Sequence, residues 1–307
     1  MSDRPERQHD QPRRPGPRFT VIVPTFNRPA SLAACVAALR ALERPGGTLE
    51  IVIVNDGGRP PTADVMQITV GDPALELRVV EQRNAGPAKA RNTGAAEARG
   101  EWLAFTDDDC LPDRGWLTAF DAVLRATPDA LVGGRTVNAL PDSMFADTSQ
   151  RLADFVSSYF AGGAAGRFFT SNNLAVARDT FLAAGGFDIR FPFSAGEDRE
   201  LGDRWSAQGR PSVSAPEAIV RHAHRLSARG FVRQHFRYGR GAAAFRRVRA
   251  ASGRPVRVDP AFYTRSLSYA LRGGGVRAPA RATLTALAHA AYAFGLLYES
   301  RRTRAHG

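Results

Sequence analysis

Four short apolar runs, each closed by a polar residue able to bind a ligand, constrain the fold of this chain more than any other feature. Phe19 to Val23 leads into Pro24-Thr25-Phe26-Asn27, and Glu50 to Val54 into Asn55-Asp56-Gly57-Gly58. Leu77 to Val80 precedes Asn84, and Glu101 to Phe105 leads into Thr106-Asp107-Asp108-Asp109. Each run has the length and the β-branched or aromatic content of a buried strand. Helical patterns lie between them. Pro29 suits a first helical turn and opens a stretch through Leu32, Cys35, Val36 and Leu39; Asn84 to Ala98 reads as a loop entering an Ala-rich helix. The alternation has βαβ spacing and predicts an α/β fold, a mostly parallel sheet flanked by helices. In such a sheet the strand ends that bind ligands lie together, so Thr25, Asp56, Asn84 and Asp107 are expected to converge. No GxGxxG follows the first strand, which argues against a nicotinamide or flavin enzyme.

Three adjacent carboxylates at a strand end repel one another and call for positive charge. An oxygen cluster of this kind suits Mg2+ or Mn2+, which share their coordination shell with phosphates and water. Read alone, the same run is equally a solvated acidic turn. Further along, Asp113 to Ala126 reads as a helix, Ala130 to Gly134 as a strand and Glu197 to Gln208 as a helix. Asp154 to Phe169, aromatic and Gly-rich, reads as a mobile loop near the site. Past His224 the pattern is helical and basic: from Arg221 on, 18 arginines face only Asp259 and Glu299, a net of +16, which leaves −4 of the formal +12 for the preceding residues. The two cysteines, Cys35 and Cys110, support neither a disulfide framework nor a Cys-based metal site and fit a reducing cytoplasm. Residues 1–18 lack an apolar core and read as a disordered tail, not a signal peptide.

The motifs, taken in order, resemble those of family 2 glycosyltransferases with the GT-A fold. Val21 to Asn27 looks like the opening strand and loop of that family, and Asn55-Asp56-Gly57-Gly58 like its second-strand turn. Asn84-Ala85-Gly86-Pro87-Ala88-Lys89-Ala90-Arg91-Asn92 resembles its third segment, and Asp107-Asp108-Asp109 its DxD motif. Gly185-Gly186-Phe187-Asp188 followed by Gly196-Glu197-Asp198 resembles its acceptor-side block. The resemblance implies a Rossmann-like GT-A domain over residues 19–225 and a metal-dependent, inverting transfer of a sugar from a nucleotide-diphosphate-sugar to an acceptor hydroxyl, in cell-envelope or other glycan synthesis. It implies that Pro24, Thr25, Phe26, Asp56, Asn84, Gly86, Asp107 and Asp108 line the donor. Lys89 and Arg91 would pair with its phosphates; a solvated helical face explains both equally well. Asp109, aided by Asp107, would hold Mn2+ or Mg2+, and His222, or else His224, would complete the shell. Asp198 is the implied general base and Glu197 orients the site. Ser171-Asn172-Asn173 is a weaker candidate contact for the donor sugar or the acceptor.

Residues 226–307 read as a basic helical region. Phe231 to Gly241 interleaves arginines with aromatics, a pattern that suits a nucleic-acid backbone or an anionic membrane surface. Thr283 to Leu297 is apolar but short of the roughly 20 residues of a membrane span, and reads as a core or interfacial helix. With the transferase resemblance, a glycan or lipid-linked acceptor and a peripheral position on the inner face of the cell membrane are expected, and nucleic acid is not. Two rival readings stand beside it: a nucleotidyl- or phosphotransferase on a similar sheet, and a non-catalytic glycan- or nucleic-acid-binding protein.

Overall fold

The computed structural model describes residues 16–61, 63–67, 70–160, 169–191, 195–256, 259–272 and 274–304. The N-terminal tail up to residue 15 and residues 161–168 of the expected loop lie outside the described residues. An eight-stranded sheet forms the body, in the order β3-β2-β1-β4-β7-β6-β8-β5: β1 (Phe19–Thr25), β2 (Leu49–Asp56), β3 (Leu75–Gln82), β4 (Trp102–Thr106), β5 (Cys110–Pro112), β6 (Leu131–Asn138), β7 (Asn173–Ala177) and β8 (Ser212–His222). The first four strands run parallel, as their helical crossovers require. The rest of the sheet is mixed: β7 is antiparallel to both β4 and β6, β8 is parallel to β6, and β5 returns antiparallel on β8.

Side-chain alternation along the strands divides the core in two. Val21, Val23, Ile51 and Ile53 face α1 (Pro29–Arg40) and α4 (Trp116–Ala126), where Leu32, Cys35, Val36, Trp116 and Phe120 are buried. Ile22, Leu103 and Phe105 face α3 (Pro87–Glu97), α6 (Arg178–Ala183) and α7 (Glu197–Ala207). On that side Phe105, Phe181 and Phe187 pack ring against ring with centroids 5.1–5.4 Å apart. α2 (Ala63–Met66) is a short turn before β3.

The segment from Asp154 differs from its sequence reading. Asp154 to Phe160 forms the last turns of α5 (Met144–Phe160), because its aromatics repeat on one helical face: Phe155 stacks on Phe262 and Tyr269, and Tyr159 on Phe262. Those partners lie on α9 (Ala261–Leu271), which with α8 (Ala228–Ala251) and α10 (Ala278–Arg304) makes up the C-terminal helices. α8 and α10 pack backbone against backbone. Gly239 lies against the Tyr292 carbonyl and Gly295 against the Phe236 carbonyl, so close that a Cβ at either position would overlap the facing backbone. Arg240 pairs with Glu299 at 2.6 Å across the same contact. α8 is tied to the sheet domain by Asp203, which pairs with Arg249 at 3.1 Å and Arg254 at 3.0 Å. Thr283 to Leu297 therefore belongs to a helix of 27 residues, and among the described residues no helix is long and apolar enough to cross a membrane.

Candidate active site

The parallel register aligns the ends of the first strands: Thr25 sits opposite Asn55, and Asp56 opposite Gln82. Thr25 at the end of β1 donates its hydroxyl to Asp108 Oδ2 at 2.7 Å. Phe26 beside it is 47% exposed, an aromatic surface standing at the sheet edge. Asp56 is buried and its carboxylate is fully engaged in shaping the next loop. It accepts Gln82 Nε2 at 2.7 Å and the backbone N–H groups of Ala85 and Gly86 at 2.8 and 2.9 Å. Asn84 donates to the Asp56 carbonyl at 2.9 Å. Gly57 has φ +77°, and a Cβ there would meet the Asn84 backbone nitrogen at 2.6 Å, so the turn after β2 requires glycine.

The three acids after β4 part company. Asp107 accepts Arg91 Nη2 at 2.6 Å. Asp108 turns inward to Thr25, and burial pushes its carboxyl up to about 6 against the pull of Arg28. Asp109 faces β8, where the β5–β8 pairing sets Cys110 opposite His222 and brings His222 Nε2 to 3.3 Å from Asp109 Oδ1. Burial opposes charge on Asp109, yet the hydrogen bond from His222 and the charges of His222 and Arg28 hold it well below the usual carboxylate range. Burial likewise disfavours the His222 cation, but Asp109 outweighs it and raises the imidazole above its ordinary value. His224 stacks on His222 with ring centroids 4.7 Å apart, and burial next to that ring pushes it down to about 4.

Arg28, just before α1, was not singled out in the sequence. Its Nη1 reaches Asp109 at 2.8 Å and Asp108 at 3.2 Å. The repulsion among three adjacent acids foretold such a cation, but 80 residues separate it from them in the chain. Arg91 is the second compensating charge, buried between Asp107 and Glu197. Both of its Nη groups are occupied there, whereas Lys89 is exposed on the outer side of α3 and makes no ion pair among the described residues.

Glu197 and Asp198 open α7. Glu197 is 1% exposed and holds Arg91 at 3.1 Å through Oε1, while its Oε2 has no partner. Burial and the adjacent Asp198 charge raise its pKa. Asp198 accepts the Arg199 backbone N–H at 2.8 Å, and burial raises its pKa also. The acceptor-side block has a positioning role that its residues did not advertise. Asn92 of α3 donates to the Phe187 carbonyl at 2.7 Å and accepts the Phe187 N–H at 2.8 Å, pinning the chain that leads to α7. Asn173 is likewise structural, bridging Trp116 Nε1 at 2.8 Å and the Ala218 carbonyl at 3.0 Å. Asn172 and Ser171 are buried beside it.

Asp107, Glu197, Asp198, His222 and His224 all face one cavity of about 690 Å³ that extends under α5 and the C-terminal helices. Thr25, Asp56 and Asn84 lie outside its walls, along the sheet edge. Oxygen from Asp109, imidazole nitrogen from His222 and the Cys110 sulfur lie within 4.8 Å of one another. Burial drives the Cys110 thiol well above its ordinary value, and a soft sulfur suits Mn2+ or Mg2+ less well than oxygen and imidazole do. The remaining oxygen-and-imidazole pair fits a divalent cation such as Mn2+ with open positions for phosphate and water.

A strand-end site on a half-parallel, half-mixed sheet, with a helix-borne acid pair facing it, defines a GT-A scaffold. The chain also belongs to Glycosyl transferase family 2, whose sequence model matches residues 20–184, more than half of its length. It is 30% identical over 237 residues to the pre-mycofactocin glycosyltransferase of Mycobacterium tuberculosis, covering 73% of this chain and 46% of that protein. It is 30% identical over 127 residues to glycosyltransferase AglE of Haloferax volcanii, covering 41% of each. The chain thus spans less than half the length of these curated relatives. Among solved structures, the mannosyltransferase PcManGT from Pyrobaculum calidifontis, in complex with GDP-Man and Mn2+, superposes with a TM-score of 0.64 at 22% identity, over 92% of this chain and 88% of that one. TarS 1-349 of S. aureus in complex with UDP-GlcNAc superposes with a TM-score of 0.52 at 17% identity, over 94% and 92%.

Proposed function

We propose that this protein is a metal-dependent, inverting glycosyltransferase. In this reading residues 19–225 bind a nucleotide-diphosphate-sugar and residues 226–307 close over the acceptor. The observation that carries it is the opening of Asp198, Asp107 and His222 onto a single cavity, with the donor-type strand ends beside it. Pro24, Thr25, Phe26, Asn84 and Gly86 border the nucleotide. Asp56 acts by holding the Ala85-Gly86 backbone in place. Asp109 and His222 hold Mn2+ or Mg2+, with Arg28 swinging away from the acids; its side chain is 52% exposed and free to do so. The metal, when bound, neutralises charge gathering on the departing diphosphate.

The acceptor hydroxyl attacks the anomeric carbon from the face opposite the diphosphate. The new C–O bond forms as the bond to the phosphate oxygen breaks, and the electron pair leaves with the nucleoside diphosphate. Asp198 takes the hydroxyl proton. Its raised pKa makes it a better proton acceptor than an ordinary surface carboxylate. Arg91 ties Asp107 to Glu197, and so fixes the donor side against the base helix. Mass spectrometry of acceptor products, with NMR of the new linkage, tests the reading; release of pyrophosphate instead of nucleoside diphosphate would favour a nucleotidyltransferase.

A second feature favours a position on an anionic membrane surface. α10 exposes Phe294 (71%), Leu297 (54%), Tyr298 (49%) and Leu287 (43%), followed at its C-terminal end by the exposed Arg301 and Arg302. Apolar side chains rimmed by cations suit the interface of an anionic bilayer. Of the interleaved aromatics read from the sequence, Phe231 and Phe245 are buried against the body, whereas Tyr238 is 40% exposed.

A further inference from the structure

We propose that Arg199 and Arg246 bind an anionic group, a carboxylate or a phosphate, on an acceptor whose apolar body fills the cavity beneath α5 and the C-terminal helices. The proposal rests on the transferase reading and names the acceptor class for that same cavity. Arg199 follows the base residue in α7 and both arginines line the cavity. The Arg199 guanidinium packs against two rings, 4.7 Å from the Phe160 centroid and 4.8 Å from that of Phe245. Among the described residues neither Arg199 nor Arg246 has an acidic partner within ion-pair distance. Their neighbours are paired: Arg249 with Asp203, Arg240 with Glu299 and Arg91 with Asp107 and Glu197.

The two guanidinium groups also repel each other. Burial lowers the pKa of Arg199, and the charges of Arg249 and Arg246 add to that cost while Tyr292 and Asp198 relieve it only in part. Partly buried cations without a counter-ion are costly to the folded protein unless a ligand supplies one. The planar fork of Arg matches carboxylate and phosphate oxygens, and a guanidinium already packed against two rings loses less freedom on binding them. Phe160 and Phe245 lie against Arg199, and Phe262 and Tyr263 line the same cavity, which also carries the acids Asp154 and Asp259. Asp198 opens onto the same space one residue away, so the anion lies close to the hydroxyl that accepts the sugar. A neutral glycan would leave both cations uncompensated.

The test uses three matched probes on the full chain, read by isothermal titration calorimetry: 3-phenylpropanoate, phenethyl phosphate and the neutral 3-phenylpropanamide. The expected result is that at least one anionic probe binds about tenfold or more tightly than the amide. R199Q and R246Q should each abolish that preference, and R199K should keep part of it. The tighter of the two anions identifies carboxylate or phosphate as the natural group. Binding of a nucleotide-sugar with Mn2+ is measured separately on the unmutated protein. Preference for the anion without any nucleotide-sugar binding would remove the transferase reading and leave the anion site. Should R199Q not fold, R246Q decides alone. Equal affinity for charged and neutral probes, no binding of any probe at millimolar concentration, or a preference untouched in the folded variants would overturn the proposal.

Discussion

Asp107, Asp108 and Asp109 are consecutive in the chain, yet each meets a different environment, and the roles proposed for them diverge accordingly. Asp107 is spoken for by Arg91, Asp108 by Thr25 and Asp109 by His222 and Arg28. Asp109→Asn removes the carboxylate that pairs with His222, and we expect metal-dependent donor binding to be lost while the thermal transition is retained; titration of Mn2+ followed by nucleotide-sugar binding checks this. Asp198→Asn should leave donor affinity nearly unchanged and lower turnover by about 10²–10⁴, the usual worth of a general base. Loss of donor binding in that variant would instead assign Asp198 to the donor side. The pH profile carries the same information. A base must be deprotonated to act, and burial raises Asp198 above 3.8, the ordinary Asp value. The acid limb of kcat/KM is therefore expected above the usual carboxylate range, with activity falling as pH drops through it; a limb at or below that range would contradict the assignment.

Elements with strong periodicity were legible in the sequence, and elements defined by distant partners were not. The first four strands and the helix at Glu197 appear where β-branched runs and start signals put them, because local pattern and burial agree there. β7 escaped notice because Asn173–Ala177 is short and its pairing with β4 and β6 is a tertiary choice. The segment after Asp154 reads as a loop because its aromatics find no local partners; α9 supplies them more than 100 residues further on. At the site, types and order of residues were legible; what was hidden is who compensates whom. Arg28 for the acids, Asn92 for the Phe187 backbone and Arg91 for Glu197 are all contacts between separate elements. Helix packing yields a prediction at this scale. Gly239→Ala forces a Cβ into the Tyr292 carbonyl, so α8 and α10 must separate. We expect a loss of about 1–3 kcal/mol, seen as a lower midpoint in chemical denaturation, and no change would show that the helix contact is looser than described.

The whole molecule combines a net +16 C-terminal region with a body of net −4, and that asymmetry gives it a direction. With α10 presenting Phe294, Leu297 and Tyr298, the basic end is expected to meet an anionic bilayer while the catalytic body stays in water. Sedimentation with anionic vesicles should be salt-sensitive and should weaken in Phe294→Ser and in Arg233→Gln with Arg247→Gln. Equal binding to neutral vesicles, or none at low salt, would reject the membrane position and leave the transferase reading intact. The central claim is a transfer reaction at the strand-end site. Its most direct test is to incubate the purified protein with a panel of nucleotide-sugars, including GDP- and UDP-linked donors, with Mn2+ or with a chelator. Nucleoside diphosphate and the configuration of the transferred sugar are then followed by NMR. The account predicts release of nucleoside diphosphate only when divalent metal is present, with inversion at the anomeric carbon. Release of pyrophosphate, retention of configuration, or equal release in the presence of the chelator would contradict it.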